Sequence, residues 1–185
     1  MTASLPSGSR SPEPIRYTSL DTPIGPVWMA GSRAGILSIS LRSRSERAFL
    51  SALREQAGPR PIEPRRGPGS LDSLDSLERQ LRRYFRGEPD QFSVMVDLTW
   101  LTPFQRRVLA ATICVPFGHV VPYGSIARAI GAPGASRAVG NALGRNPVPI
   151  LVPCHRVVAS NGTLGGFTGG TGLKRRLLAI EGITL

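Results

Sequence analysis

The sequence NPVPILVPCHRVV, residues 146–158, places a cysteine beside a histidine after three prolines and an apolar run. Proline fixes φ and donates no backbone hydrogen bond, so this run predicts a stiff, non-helical approach to Cys154. The thiolate is the reactive form of cysteine, and a neighbouring base such as His155 generates it. A free cysteine in an apolar context is most often a small buried hydrophobe, and the adjacent histidine alone does not exclude that alternative.

The residues on either side of the PCHRV core decide between these alternatives. An Asn-Pro pair precedes the core, and a glycine-rich stretch, GGFTGG at 165–170, follows it. These motifs resemble the active-site signature of the O6-alkylguanine-DNA alkyltransferases, the methylated-DNA–protein-cysteine methyltransferases. The spacing resembles that family from about residue 102 to residue 182. The resemblance implies DNA repair by direct reversal, in which the alkyl group of O6-alkylguanine, and of O4-alkylthymine, moves irreversibly to Cys154.

The same resemblance implies two domains. The N-terminal one is α/β and ribonuclease-H-like, with a small antiparallel sheet and helices. The C-terminal one is mainly α, with a winged-helix-like helix-turn-helix. We expect a disordered tail at 1–14, the N-terminal domain at 15–97, a flexible Pro- and Gly-rich connection within it at 58–70, and the DNA-binding and catalytic domain at 98–185.

Local patterns predict the elements of both halves. Apolar alternation and turn residues predict strands at 15–20, 26–31, 35–41 and 92–98. Apolar stripes predict helices at 43–57 and 71–86, and the second of these contains the sequence QLRRYFRG. Plain core packing explains this second stripe.

The catalytic half begins with a helix signal. Thr102, Pro103 and Gln105 predict a capping box, with threonine as the N-cap and proline at the first helical position. Cys114 falls inside the helical pattern that follows and is interpreted as structural. His119 lies in a loop at 116–123, away from any motif, and is predicted to be a surface histidine.

Two helices predicted at 125–130 and 135–143 have the spacing of a helix-turn-helix, although an ordinary helical hairpin is the alternative. The second helix has small side chains apart from Arg137. The resemblance implies that this helix docks in the minor groove through Ser136, Ala138 and Gly140. Arg137 then enters the duplex where the target nucleotide leaves, a mode of insertion with precedent.

The resemblance assigns the chemistry to five residues. An alkyl group on guanine O6 is buried in the base stack, so the base must be turned out into a pocket. Cys154 is the nucleophile, and His155 draws its proton, through a water in the family. Glu181, the only acid in 98–185, supports the histidine. Tyr123 acts on the flipped nucleotide and lends it a proton, and Asn146 is the hinge before the active-site loop.

The substrate pocket is also assigned by resemblance. Its residues are Val157, Phe167, Thr168, Gly169 and Lys174. Two of them depart from the family, which often has Tyr at the position of Phe167 and Ser or Ala at that of Thr168. Both changes affect the shape of the pocket, so the sequence leaves the preference between methyl and larger groups open. Arg156, inside the signature, is interpreted as structural support.

Charge supports a nucleic-acid partner. The formal net charge is +11 with a sequence pI of about 11.4. Residues 98–185 carry nine basic side chains against one acid, a net charge of +8. This charge distribution, together with the family that the sequence resembles, leads us to expect that double-stranded DNA containing O6-alkylguanine binds the C-terminal half of a monomer, with cooperativity on DNA left open.

The remaining composition limits cofactors and location. Two cysteines and two histidines provide no metal-ligand cluster of the usual spacing, so we expect no metal and no other cofactor. No apolar run approaches membrane-spanning length, and the first 14 residues lack the apolar core of a signal peptide. The expected location is the cytoplasm, in association with the nucleoid.

Other functions are weighed against repair. A non-catalytic alkyltransferase-like protein that binds lesions without repairing them is the main alternative, but such relatives replace the reactive cysteine, and Cys154 is present. A helix-turn-helix regulator lacks support because the sequence has no effector module. A cysteine hydrolase is supported only by the adjacency of Cys154 and His155.

Overall fold

A computed structural model of the chain describes residues 13–65, 67, 72–89 and 92–185. Most of the predicted tail at 1–14, and residues 66 and 68–70 of the predicted connection, therefore lie outside the described residues. The secondary structure follows the sequence pattern closely in both halves. The differences from it concern strand pairing, helix ends and one strand that does not form.

The N-terminal half is a small sheet of mixed direction. β1 (Ile15–Thr22), β2 (Gly25–Ser32) and β3 (Gly35–Ser40) form an antiparallel meander. β4 (Ile62–Pro64) pairs with β1 in parallel, which gives the strand order β3-β2-β1-β4. The expected antiparallel sheet thus has one parallel edge strand, and that strand lies inside the stretch predicted to be a flexible connection.

Two helices cover the faces of this sheet. α1 (Glu46–Ala57) begins three residues later than predicted, and the side chain of its N-cap, Ser45, accepts the backbone N–H of Ala48 at 3.3 Å. It packs on one face through Phe49 and Leu53. α2 (Asp72–Tyr84) packs on the other face, where its apolar stripe belongs to a larger core that also includes residues of the C-terminal half. Successive strand residues point to opposite faces, so the sheet contributes to both cores.

The strand predicted at 92–98 does not form. Only Val96 makes an isolated parallel bridge, with Ile36, and the backbone bonds there run from Ile36 N to Met95 O and from Asp97 N to Ile36 O. The Asp97 carboxylate then accepts both the backbone N–H and the hydroxyl of Thr99. This Asx turn redirects the chain before a second register position can pair.

The C-terminal half is mainly helical. Its elements are α3 (Pro103–Ile113), β5 (Val121–Pro122), α4 (Tyr123–Ala129), α5 (Ser136–Gly144), a single 3-10 turn (Cys154–Arg156), β6 (Val157–Val158) and α6 (Thr171–Ile180). The capping box is confirmed, because Thr102 and Gln105 exchange side-chain to backbone hydrogen bonds at 3.3 and 3.0 Å. Cys114 is not inside α3 but caps its end, and it is exposed.

One apolar core joins the two halves. It combines sheet residues such as Met29 and Ile36, the α2 stripe ending at Tyr84, and Val108, Val139 and Cys154 of the C-terminal half. The C-terminal end of α2 is therefore placed next to the 3-10 turn that carries the cysteine. Among the described residues, no helix has the length and apolar character needed to cross a membrane.

Candidate active site

The Cys154 thiol is held at the start of the 3-10 turn. Its sulfur accepts a hydrogen bond from Asn146 Nδ2 at 3.2 Å, and the same nitrogen donates to the carbonyl of Val152 at 2.8 Å. Asn146 Oδ1 accepts the backbone N–H of Val148 at 3.1 Å. One amide side chain thus ties the beginning and the end of the proline-rich approach to the sulfur.

The backbone of this approach is strained at one position. Ile150 is buried and has φ +76°, the only positive φ on a non-glycine residue that the structure describes. A β-branched residue in the left-handed region costs roughly 1–3 kcal/mol and persists only where its surroundings enforce it. Here Pro149 and Val152 form an isolated bridge, and the backbone N–H of Val152 bonds to Val148 O. The approach is non-helical, as the sequence predicts.

His155 and Glu181 form a fully buried pair. Nε2 of His155 lies 2.6 Å from Glu181 Oε1, and neither side chain is exposed. A carboxylate at Nε2 favours the tautomer with its proton on Nε2, which leaves Nδ1 as the basic nitrogen. Nδ1 is buried and has no hydrogen-bond partner within the described part of the chain. The unused nitrogen is therefore the one available to accept a proton.

Other donors surround the Glu181 carboxylate. Arg156 donates from Nε to Oε2 at 2.8 Å and from Nη2 to Oε1 at 3.0 Å, and Gly118 N donates to Oε2 at 3.2 Å. The hydroxyl of Tyr84 donates to Oε1 at 3.0 Å. Burial alone raises the pKa of Glu181, but the bonds from His155 and Arg156 outweigh it and lower this pKa to about 2. The carboxylate is therefore charged at neutral pH.

Burial also shifts the two groups that would exchange a proton. It lowers the pKa of His155, against the opposing effect of Glu181, so the imidazole is neutral at neutral pH. It raises the pKa of the Cys154 thiol, while the Asn146 bond and the charge of Lys174 favour the thiolate. A thiol that is protonated at rest beside a neutral imidazole suits deprotonation by a general base.

A cavity of about 770 Å³ opens onto the sulfur. It brings together residues of α4, α5 and the glycine-rich loop that sequence analysis singled out: Tyr123, Ser136, Arg137, Gly140, Cys154, Phe167 and Thr168. Tyr123 begins α4 and its hydroxyl donates to the carbonyl of Gly166 at 3.0 Å. Burial raises the pKa of Tyr123, so this hydroxyl keeps its proton at neutral pH.

Cys154 also lines a second, smaller cavity of about 150 Å³. Asn146 and Gly169 line it together with Cys154, Phe167 and Thr168. The Thr168 hydroxyl donates to Gly144 O at 2.6 Å, which ties the glycine-rich loop to the end of α5. Ala138, the remaining predicted DNA contact, is exposed on α5 and lines neither of these two cavities.

Lys174 binds two backbone carbonyls that precede the glycine-rich loop. It lies within α6, three residues after the start of this helix at Thr171, and it is completely buried. Its ammonium donates to the carbonyls of Val157 and Leu164, each at 2.5 Å. Burial lowers the pKa of Lys174 to about 8. The predicted pocket residues Val157 and Lys174 are thus bonded to each other behind the cavity wall.

Sequence reasoning missed part of this arrangement. Tyr84 belongs to the apolar stripe predicted at 71–86, for which plain core packing is the interpretation, and the only signal for it is its place in QLRRYFRG. The two hydrogen bonds from Arg156 to Glu181 explain why Arg156 is buried beside the histidine. Arg128 and Asn141 line the large cavity without having been singled out. His119 is exposed in its loop, as the sequence predicts.

Comparison with known proteins addresses both halves. Residues 15–98 match the family model for the 6-O-methylguanine DNA methyltransferase ribonuclease-like domain, and residues 103–183 match that for the DNA binding domain of the same enzyme. The methylated-DNA–protein-cysteine methyltransferase of Mycobacterium tuberculosis is 40% identical over 169 residues, covering 90% of this chain and 92% of its own length. That of Shigella flexneri is 38% identical over 167 residues, with 89% and 94% covered.

Solved structures agree with these sequence matches. The crystal structure of Mycobacterium tuberculosis OGT in complex with DNA matches with a TM-score of 0.73 at 38% identity, covering 90% of this chain and 92% of that one. An O6-methylguanine-DNA methyltransferase from Pyrococcus kodakaraensis matches with a TM-score of 0.66 at 26% identity, covering 91% and 99%. The expected two-part fold is confirmed, and the chain belongs to the methylated-DNA–protein-cysteine methyltransferase family.

Proposed function

We propose that this chain repairs alkylated DNA by direct reversal, transferring the alkyl group of O6-alkylguanine to Cys154 in a single irreversible reaction. The relatives named methylated-DNA–protein-cysteine methyltransferase support the reaction type. The observation that carries the proposal for this chain is the Cys154 sulfur on the wall of a large cavity, with the His155–Glu181 pair behind it. O4-alkylthymine, which carries the alkyl group on an equivalent oxygen, is a second substrate.

The proposed step balances as one displacement. His155 accepts the thiol proton at Nδ1, and the sulfur forms a bond to the alkyl carbon as the bond from that carbon to O6 breaks. The electron pair of the broken bond moves to the guanine, which takes up one proton, supplied by the Tyr123 hydroxyl. Glu181 stays ionised and stabilises the imidazolium that forms. The thioether has no leaving path, so each molecule reacts once.

DNA binding is proposed for the face that carries α5. Arg137 is exposed on this helix and lines the cavity, together with Ser136 and Gly140. Gly140 faces the Tyr123 ring, and a Cβ at Gly140 would lie 3.8 Å from that ring. Small side chains here, including Ala138, allow close approach to a minor groove, while Arg137 fills the gap left by the extruded nucleotide. Mycobacterium tuberculosis OGT, a relative of this fold, has been crystallised with DNA.

The base is proposed to occupy the large cavity. A volume of about 770 Å³ accommodates a nucleobase with its sugar, and Tyr123 and Phe167 provide aromatic surface beside Cys154. The backbone carbonyls of Cys154 and Val157 are proposed to bind the guanine amino group. Thr168 and Gly169 belong to the segment that is proposed to approach O6. Lys174 holds the backbone ahead of the glycine-rich loop through its hydrogen bonds to the carbonyls of Val157 and Leu164. Asn146 favours the thiolate through its bond to the sulfur.

The alternative is an alkyltransferase-like protein that binds the lesion without repairing it. Retention of Cys154, with Asn146 bonded to its sulfur and an ionised Glu181 behind His155, favours transfer over binding alone. We further propose that the protein acts in the cytoplasm at the nucleoid, as a monomer that needs no cofactor. This location follows from the DNA substrate.

The proposal is tested by intact-protein mass spectrometry after incubation with a duplex containing O6-methylguanine, followed by peptide mapping. The expected result is one methyl group per protein molecule on the Cys154 peptide, with no further gain when the duplex is in excess. Cys154→Ala should bind the duplex and gain nothing. Cys114→Ala is the matched control, because it removes the exposed thiol and should react like the parent. An unmodified parent that still binds the duplex would favour the lesion-binding alternative.

A further inference from the structure

Tyr84 reaches the proposed catalytic pair from the other half of the molecule. It is the last residue of α2, and its hydroxyl lies 3.0 Å from Glu181 Oε1 and 3.3 Å from His155 Nε2. It is separated from these residues by 97 and 71 positions in the sequence. The same carboxylate oxygen therefore faces both the imidazole of His155 and a phenol supplied by the N-terminal half.

The surroundings of Tyr84 hold this hydroxyl in place. The side chain is 1% exposed, and its ring contacts Phe85, Phe92 and Phe117 at centroid distances of 5.3, 6.1 and 6.2 Å. The His155 ring lies 6.4 Å away at an interplanar angle of 70°. Apolar neighbours offer the hydroxyl no other partner on these sides, so its position is fixed by Glu181 and His155.

The direction of the hydrogen bonds follows from protonation. Burial and the nearby Glu181 charge raise the pKa of Tyr84 well above its usual value, so the phenol remains protonated. Glu181 is ionised and can only accept, so the phenol proton points to Oε1. A lone pair of the phenol oxygen then faces Nε2. Two acceptors consequently surround Nε2, which again places the proton there and leaves Nδ1 free.

We propose that Tyr84 is a positioning residue for the alkyl transfer: by donating to Glu181 Oε1 it limits how strongly this carboxylate attracts a proton to His155, and so keeps the imidazole neutral and able to accept the thiol proton. The proposal rests on the proposed function and adds a requirement that the N-terminal half supply part of the proton-transfer site. The QLRRYFRG sequence thereby has a chemical role beyond core packing.

The titratable and charged groups around His155 determine how far removal of the phenol can change the protonation of the imidazole. They are Tyr84 from α2, Cys154 and Arg156 from the 3-10 turn, Lys174 from α6, and Glu181 directly after α6. Arg156 and Lys174 oppose protonation of the imidazole, and Glu181 favours it. If the phenol is removed, Oε1 of Glu181 loses one of its hydrogen-bond donors. The carboxylate then interacts more strongly with a protonated His155, because a hydrogen bond between two charged groups is stronger than one between neutral groups. Loss of the 3.3 Å contact to Nε2 acts in the opposite direction but is weaker.

The test compares Tyr84→Phe with the parent in the full chain. Phenylalanine keeps the ring packing and removes only the hydroxyl. Tyr17→Phe is the matched control, because Tyr17 also donates to a glutamate, Glu46, but lies in the separate core under α1. Two measurements are made: the pH dependence of the single-turnover transfer rate at saturating duplex, and the NMR titration of the histidine ring. Only two histidines are present, and the exposed His119 is an internal reference.

The expected result is that Tyr84→Phe moves the acid limb of the rate profile, and the His155 titration, upward by roughly one pH unit. Tyr17→Phe should leave both unchanged. A rate in Tyr84→Phe lowered by the same factor at every pH, with an unchanged His155 titration, would reduce Tyr84 to a packing residue and overturn the inference. A downward shift would also overturn it. A parent that transfers nothing would refute the proposed function, while the NMR titration would still decide the role of Tyr84.

Discussion

The imidazole of His155 and the carboxylate of Glu181 meet at 2.6 Å with both side chains completely buried. A charge in such a site must be compensated by partners, because solvent does not reach it. Arg156 provides this compensation through two hydrogen bonds to the carboxylate. The proposed proton acceptor, its carboxylate and a structural ion pair are therefore one network, and changes to it affect both stability and reactivity.

Glu181→Gln should destabilise the fold. It leaves the Arg156 guanidinium buried without a carboxylate, which costs about 3 kcal/mol in comparable cases and lowers Tm by roughly 10 °C for a chain of this size. Glu88→Gln is the control, since Glu88 also binds two arginines, Arg83 and Arg86, but at the surface, where such pairs contribute little. Urea denaturation of both variants measures the difference. Equal stability losses would contradict the buried network.

The same carboxylate should make stability depend on acid pH. The pKa of Glu181 falls from 4.5 to about 2 on folding, so its contribution is fully present above pH 4.5 and is lost as pH falls through 2. The shift corresponds to about 3 kcal/mol. Urea denaturation between pH 5 and about 2.5 should show a steeper decline for the parent than for Glu181→Gln. Parallel declines would show that other groups determine acid unfolding.

Asn146→Ala should slow transfer most at neutral pH. Its Nδ2 bond favours the thiolate, so its loss raises the pKa of the Cys154 thiol further and reduces the rate by about 10-fold near pH 7. As the pH approaches the pKa of the Cys154 thiol, the difference in rate between the variant and the parent should shrink. The single-turnover rate at saturating duplex measures it, with Asn161→Ala, in an exposed loop, as the control. A pH-independent deficit would point instead to distortion of the loop by the lost backbone bonds.

Arg137→Ala should slow the repair of duplex DNA without an equal effect on the alkyl-transfer chemistry itself. Arg137 lines the cavity from the exposed surface of α5, so its removal should slow reaction in duplex DNA far more than reaction with free O6-benzylguanine. Because a single charge is also lost from a basic protein, Arg47→Ala on α1 is the control for general electrostatics. Equal losses with both substrates would remove the proposed role in base extrusion.

Much of the fold could be predicted because its signals are local. The capping box at Thr102 and the alternation in β1 to β3 depend on neighbouring residues, and both appear where the sequence places them. β4 was missed because three residues in a Pro- and Gly-rich stretch carry no pattern of their own. They are extended because β1 offers an edge to pair with. The predicted strand near Val96 failed for the converse reason, since its chain turns away at Asp97 after one bridge.

The site was predictable to the extent that one motif contains it. The Cys-His pair and the solitary acid Glu181 could be identified by resemblance and by counting, and the structure brings them together; their roles remain predictions. Tyr84 could not be found in this way, because its meeting with Glu181 depends on how two halves of the chain pack. An amphipathic stripe indicates that a residue faces the core, but it does not indicate which polar group that residue contacts there.

The burial of Lys174 also affects how this protein can be labelled. It is the only lysine in the sequence, and its amine is fully enclosed with two carbonyl partners, so reagents that acylate lysine side chains find none exposed. Thiol reagents have a different choice, between the exposed Cys114 and the buried Cys154. A dye or surface linker attached through a maleimide should therefore react first with Cys114.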